Sequence, residues 1–220
     1  LMADLGPLIG ADSNAKQKAR GSESKQPAGK VLPVEEFRTE RWRDMDADVE
    51  LTGKRIVQSA ELPFTDLYTH VVLNDGELSL EPLRFGVAGG KLDAQIRLNG
   101  RATPLKGNAK LTARNFKLKQ LFPTFEPMKT SFGELNGDAT IAGTGNSVAK
   151  LLGTANGDLK MIVNDGAISR SLMEIAGLNV GNYVVGKIFG DEDVKINCAA
   201  ADLGITNGLA STRLFVFDTE

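Results

Sequence analysis

The sequence has few of the residues from which most catalytic and metal sites are built. Its 220 residues include one histidine, His70, and one cysteine, Cys198. A lone cysteine cannot form an internal disulfide, and a zinc site would have to be built largely from carboxylates. No Gly-x-Ser-x-Gly turn accompanies a Ser-His-Asp arrangement. We therefore expect no enzyme activity, no metal and no cofactor, and we expect His70 to face solvent.

Excess charge and long apolar runs are also missing. With 26 basic against 28 acidic residues the net charge is -2, which gives no electrostatic reason to expect nucleic acid as a partner. The longest charge-free stretch of the C-terminal part, residues 175–186, falls short of the about 20 apolar residues that a membrane-spanning helix needs. Both ends look like cuts within a longer protein, so we expect any targeting or anchoring segment to lie outside this chain.

What the sequence does contain is an alternation of apolar and polar residues, repeated from about residue 46 to the end. Side chains two apart in a strand share a face, so the pattern predicts sheets with one apolar and one polar side. The period-two sets are Val49 and Leu51; Leu78 and Leu80; Leu83, Phe85 and Val87; Leu92, Ala94, Ile96 and Leu98; Leu159, Met161 and Val163; Val194, Ile196 and Cys198; and Thr212, Leu214 and Val216.

Glycine-containing turns separate these sets, as in Asn99-Gly100 and Asn207-Gly208, and they favour an antiparallel meander. The predicted strands are 46–57, 67–74, 77–81, 83–88, 90–99, 105–115, 131–143, 154–164, 193–206 and 208–217. The predicted helices are 34–43, 117–122, 146–152 and 169–189. We predict a mainly β chain whose long, curved antiparallel sheet forms an open hydrophobic groove. Residues 1–30 are expected to be the end of a preceding element plus a polar linker, and 31–220 one β domain.

Two further features allow more than one interpretation. The basic residues Lys106, Lys110, Arg114, Lys117 and Lys119 form a stripe. They can decorate an exposed face, or they can contact lipid headgroups or a partner, because lysine and arginine pair with phosphate. Trp42 either anchors the first helix on the sheet or stacks on a ligand.

Several stretches together resemble the AsmA family of Gram-negative envelope proteins. They begin with residues 46–56 (DADVELTGKRI), 62–67 (LPFTDL) and 74–92 (NDGELSLEPLRFGVAGGKL). They continue with 143–153 (GTGNSVAKLLG), 156–159 (NGDL), 166–169 (GAIS) and 174–178 (EIAGL), and end with 198–203 (CAAADL) and 207–213 (NGLASTR). The match runs from about residue 46 to residue 220.

The resemblance implies a periplasmic β-groove, anchored in the inner membrane by an N-terminal helix outside this chain. Such a groove shields acyl chains of glycerophospholipids on their way to the outer membrane and supports outer-membrane biogenesis. Taken with the alternation, it gives these groove-lining residues: Val49, Leu51, Leu78, Leu80, Phe85, Val87, Ile96, Leu98, Leu111, Ile141, Leu159, Met161, Val163 and Ile196. The alternative is a scaffolding module that contacts envelope proteins and whose apolar face is closed by its own helices. A carboxylate-based hydrolase is a third possibility.

Overall fold

The computed structural model describes residues 32–56, 64–121, 132–169 and 193–219. Within these ranges the strands are β1 (Ala47–Ile56), β2 (Phe64–Asn74), β3 (Glu77–Val87), β4 (Gly90–Asn99), β5 (Lys106–Lys117), β6 (Phe132–Thr144), β7 (Asn156–Ser169), β8 (Asp193–Thr206) and β9 (Leu209–Thr219). A 3₁₀ helix (Thr39–Arg43) precedes β1. Helix α1 (Leu118–Leu121) follows β5, and α2 (Val148–Gly153) lies between β6 and β7.

All nine strands belong to one sheet, in which each strand pairs with its neighbours in sequence, in the order β1 to β9. Every one of these pairings is antiparallel. The sheet is curved and does not close on itself, which confirms the predicted fold class. Because neighbouring strands lie about 4.8 Å apart, the sheet extends about 38 Å from its first strand to its last.

The strand ends form two rims. We call the first rim the side where β2 joins β3, β4 joins β5, β6 joins β7 and β8 joins β9. The second rim is the opposite side, where β3 joins β4 and where α1 follows β5. Strands run from rim to rim, so a ligand lying along the sheet would cross them.

A bulge in β3 keeps its apolar side chains on one face. Leu80 pairs with Ile96, whereas Leu83 pairs with Ala94, so Glu81 and Pro82 together lie opposite the single residue Gln95, and β3 has one extra residue. Proline cannot donate to the ladder and is accommodated at such a bulge. The sequence predicts two strands here, 77–81 and 83–88; the structure corrects this to one strand whose alternation changes phase.

A second change of phase occurs in β9. Leu203 pairs with Thr212, but Ala201 pairs with Phe215, so Phe215 lies on the face of Thr212. The prediction that Thr212, Leu214 and Val216 share one face is therefore wrong. The sequence around Arg213 contains no glycine or proline from which this irregularity could have been predicted.

The predicted helices are only partly formed. In place of helix 34–43 there is the 3₁₀ helix Thr39–Arg43, and Arg38 before it makes no side-chain cap. Helix α2 begins after Ser147, whose hydroxyl accepts a hydrogen bond from the Lys150 N–H at 3.2 Å. Ser169, the first residue of the predicted helix 169–189, is the last residue of β7. The rest of that helix and the linker lie outside the described residues. Across the described ranges, no helix has the length and apolar character to cross a membrane.

A cap made of residues 33–43 and α2 covers the first rim. Trp42 and Phe37 are 1% and 6% exposed and pack with Leu73, Leu78 and Leu98. The Phe37 N–H donates to the carbonyl of residue 146 at 2.7 Å, and the residue 149 N–H donates to the carbonyl of residue 33 at 3.0 Å. These bonds join the two parts of the cap to each other.

A smaller cluster covers part of the second rim. Val87, Ala88 and Phe116 are buried there, and Leu121 of α1 packs against them. Phe64 meets the Phe85 ring edge-on, with ring centroids 5.2 Å apart. The two clusters close the ends of β2 to β5 and leave the middle of the strands between them.

Candidate functional site

One face of the sheet carries continuous rows of apolar side chains. Directly paired residues in antiparallel strands share a face, so each row can be followed from strand to strand. The central row contains Leu51, Thr69, Leu83, Ala94, Leu111, Ala139, Leu159, Leu203 and Thr212. We call this side of the sheet the apolar face.

Pairing brings thirteen of the fourteen predicted groove residues to the apolar face. They lie in five successive rows from the first rim to the second: Leu78 and Leu98; Val49, Leu80, Ile96 and Ile141; Leu51, Leu111 and Leu159; Phe85 and Met161; Val87 and Val163. These thirteen residues come from positions up to 114 apart in the sequence, Val49 and Val163.

Ile196 does not join these rows. It pairs with Gly166, and Cys198 pairs with Asn164, so its register places it on the opposite face of the sheet, where it is 5% exposed. The alternation of Val194, Ile196 and Cys198 is real, but it belongs to the other face. The apolar residues of β8 in register with Met161 and Val163 are Ala201 and Ala199.

Burial separates the predicted residues further. Leu78, Leu98 and Val87 are 3%, 7% and 9% exposed within the clusters at the rims, so protein already covers them. Val49 is 42% exposed on edge strand β1. The residues between the rims, such as Leu111 and Leu159, are half-buried.

The structure also adds residues that the site prediction missed. Leu83, Ala94 and Leu203 lie in the central row, and Phe215 lies opposite Ala201 one row away. Thr69 is, with Thr212, one of the two polar members of the central row. It is 2% exposed, and its hydroxyl makes no hydrogen bond within the described part of the chain. The alternation of Thr69 with Val71 in the sequence could have identified Thr69 as a residue of the apolar face.

From β2 to β6 the opposite face is polar and carries ion pairs between neighbouring strands, whereas on β7 and β9 it also carries the exposed side chains of Ile162, Leu214 and Val216. We call it the polar face. Its pairs include Arg84 with Asp93 at 2.6 Å, Arg97 with Glu81 at 2.5 and 2.8 Å, and Arg114 with Asp138 at 3.0 and 3.1 Å. Arg97 donates to Glu81 from two nitrogens, the bidentate geometry in which a guanidinium binds a carboxylate best. Arg114 donates to both oxygens of Asp138 from one nitrogen, Nη2. This side of the sheet therefore suits water.

Arg213 links three strands of the polar face. It donates to Asp158 of β7 and lies 3.7 Å from the buried Oδ1 of Asp202 in β8. That oxygen accepts no hydrogen bond among the described residues. The guanidinium at 3.7 Å therefore supplies charge compensation to Asp202 without a hydrogen bond.

These pairs shift the pKa values of their members. The hydrogen bond from Arg97 lowers the pKa of Glu81 below its ordinary value, against a smaller opposing effect of burial. Hydrogen bonds from Arg114 and then Thr112 lower the pKa of Asp138. Each shift follows from a donor that favours the ionised carboxylate.

His70 lies on the polar face, as predicted. Its Nε2 is 2.7 Å from Oδ1 of Asp48 on the neighbouring strand. In the ranges that the structure describes, no group of three or more His, Cys, Asp or Glu side chains could hold a metal ion. The side chains of the apolar face can gain free energy by burial against other apolar groups.

The architecture is that of a mainly β protein with a curved, unclosed antiparallel sheet, one face of which carries rows of apolar side chains. The sequence model of the AsmA family matches residues 2–215. The chain belongs to the AsmA family, whose members are associated with the cell envelope. This confirms the resemblance found in the sequence.

Among curated proteins, the chain is 53% identical over 226 residues to the AsmA family protein YhjG of Escherichia coli (strain K12). The alignment covers all of this chain and 33% of that protein, so the chain spans about one third of its relative's length. No solved structure gives a significant match.

Proposed function

We propose that the apolar face shields phospholipid acyl chains and so supports phospholipid transport from the inner to the outer membrane. The observation that carries this proposal is the run of half-buried apolar rows across nine strands, backed by an ion-paired polar face. In this proposal the protein works in the periplasm, tethered to the inner membrane by a segment outside this chain. It performs no catalysis.

The dimensions of the sheet fit this role. An acyl chain spans about 15 Å, half of the about 30 Å hydrocarbon thickness of a bilayer. A face about 38 Å long therefore accommodates more than one chain length. Each buried CH₂ group contributes about 0.8 kcal/mol, so contacts with two or three strands hold a chain. Contacts of this kind are non-directional, and the chain can slide along equivalent rows.

The competing function is a scaffold for envelope proteins. It is favoured by the clusters at the two rims, which show that protein side chains cover part of the apolar face. The two functions differ in what touches the central row: hydrocarbon for the lipid groove, and protein for the scaffold.

Photo-crosslinking separates them, with two adjacent positions of β7. Leu159 lies on the apolar face and Lys160, which pairs with Asp138 and Asp202, lies on the polar face. We expect a photo-reactive residue at 159 to crosslink phospholipid in Gram-negative cells, and one at 160 to crosslink none.

Native mass spectrometry of the gently purified chain, followed by lipid extraction, provides the second measurement. Co-purifying phospholipid together with crosslinks at 159 supports the groove. If no phospholipid co-purifies and position 159 crosslinks to protein instead of lipid, the groove is refuted and the scaffold is favoured.

A further inference from the structure

A shallow trough crosses the polar face from β3 to β7 and reaches the first rim. It consists of two adjoining hollows of about 360 and 690 Å³, which share the residues Arg97, Asn108, Ala142 and Asn156. These four residues pair in register in one row of the sheet. Because Ala142 has the shortest side chain of the row, space remains on β6 between the longer side chains on either side.

Two lysines of β5, Lys106 and Lys110, give the trough its charge. They are four residues apart on one face of the strand, so their Cα atoms lie about 13 Å apart. Among the described residues neither ammonium forms an ion pair, whereas Lys150 of α2 lies 2.7 Å from Glu36. Arginines already bind the carboxylates that line the trough: Glu77 binds Arg101, Glu81 binds Arg97 and Asp158 binds Arg213. Two positive charges are therefore left for a ligand.

Side-chain amides lie between and beside the two lysines. Asn108 stands between them on β5, and Gln95 and Asn99 are their cross-strand partners on β4. Within the described part of the chain, the side chains of Asn108 and Gln95 make no hydrogen bond. The Asn99 Oδ1 accepts from the Arg101 N–H at 3.0 Å, which leaves its NH₂ group to donate elsewhere. An amide both donates and accepts, as does a hydroxyl group, so these amides suit a ligand that carries hydroxyls.

The trough offers little to an apolar ligand. No aromatic ring lines either hollow in the ranges that the structure describes. The exposed apolar side chains of this face, Ile162, Leu214 and Val216, lie on β7 and β9 and do not line the trough. The groups that remain call for a ligand with negative charges and many polar groups.

We infer that this trough binds an acidic oligosaccharide, whose acidic groups meet Lys106 and Lys110 and whose hydroxyls meet the amides. An extended chain is required, because one anionic group does not reach two charges about 13 Å apart. The inference is independent of the proposed function, since acyl chains would lie on the other face of the sheet. It gives the polar face a ligand of its own.

Three soluble probes of six units each test it by calorimetric titration of the purified chain at low salt. Hexagalacturonate carries carboxylates and hydroxyls, maltohexaose carries hydroxyls alone, and hexaglutamate carries carboxylates on a peptide. Hydrogen bonds to charged groups are the stronger ones, so we expect hexagalacturonate to bind at least about tenfold tighter than maltohexaose. We also expect it to bind tighter than hexaglutamate, and its advantage over maltohexaose to shrink as salt is added.

The test variant is Lys106→Gln with Lys110→Gln. The matched control is Lys117→Gln with Lys119→Gln, which removes the same charge next to the second rim. We expect the test variant to reduce the preference for hexagalacturonate over maltohexaose to less than about threefold. We expect the control to keep the preference. Asn108→Leu, which leaves the charge unchanged, should weaken the binding of both oligosaccharides.

The unfavourable outcomes are equally specific. If hexagalacturonate does not bind, or if its preference survives in the test variant, the trough is not the site. Equal losses in the test and control variants would assign the preference to overall charge and refute the site as well. If hexaglutamate binds as tightly as hexagalacturonate, and Asn108→Leu changes neither, the saccharide assignment is wrong and the trough is a site for acidic peptides.

Discussion

Trp42 offers the sharpest test of how the first rim is held. It is 1% exposed, lies with its ring centroid 6.3 Å from that of Phe37, and packs with the apolar residues at the ends of β2, β3 and β4. Truncating a fully buried tryptophan to alanine costs about 3–5 kcal/mol, from lost burial and from the cavity left behind. We expect Trp42→Ala to lower the free energy of unfolding by that amount.

Trp42→Phe should behave differently. The Trp42 Nε1 makes no hydrogen bond within the described residues, and a buried donor without a partner costs about 1–3 kcal/mol. Phenylalanine removes that donor and keeps most of the apolar volume, so the two effects oppose each other. We expect a loss of less than about 1.5 kcal/mol.

Urea unfolding followed by far-ultraviolet circular dichroism measures both, since neither variant retains a tryptophan for fluorescence. Met45→Ala serves as control because Met45 is 53% exposed, and it should change stability by no more than about 0.5 kcal/mol. A loss below about 1.5 kcal/mol for Trp42→Ala, or equal losses for both Trp42 variants, would refute the account of the cap.

Three further predictions concern the sheet. The pKa of Glu81 is lowered in the folded protein, so its ionised form stabilises the fold above the unfolded-state pKa, and this stability is lost as the pH falls through the folded-state pKa. A nuclear magnetic resonance titration should place the Glu81 pKa below its ordinary value, and replacing the partner Arg97 should return the pKa to that ordinary value. Gly157→Ala, at φ +153° and against the Thr140 carbonyl, should cost more than about 1 kcal/mol in urea unfolding, whereas Gly153→Ala, with open space around it, should not. Ala139→Phe, in the central row, should reduce co-purifying lipid, and Thr140→Phe on the polar face should leave it unchanged; equal effects would contradict the assignment of faces.

The alternation in the sequence predicted most of the fold because it reports directly which side chains share a face. Strand β4 was predicted at its observed bounds, and the meander followed from the turns between strands. The apolar–polar alternation no longer predicts which face a residue occupies where a bulge changes the phase of the alternation. At Glu81 and Pro82 the pattern indicated two strands, because a bulge and a break look alike in sequence.

The candidate site was predictable in composition and less so in arrangement. Leu111 and Leu159 share the central row through two successive pairings. The two-residue period of the sequence predicts which face a side chain occupies but not which residue it pairs with. Ile196 shows the limit: its alternation was correct, but one step of register decides which face it occupies. The cover at the rims depends on long-range packing, such as Trp42 on β2 to β4, which no local period encodes.

The two faces of the sheet specify its register in complementary ways. A slip of one residue would turn the apolar rows to the water and bring the ion-paired partners Arg97 and Glu81, or Arg114 and Asp138, to the apolar side. Exposed ion pairs add little stability, but burying their charges would be costly. The ion pairs therefore act mainly against misregistered sheets. Because the ion pairs help to define the register, the half-buried apolar rows do not have to close into a core for the sheet to adopt one structure. The proposed shielding of mobile acyl chains requires an apolar face of this kind.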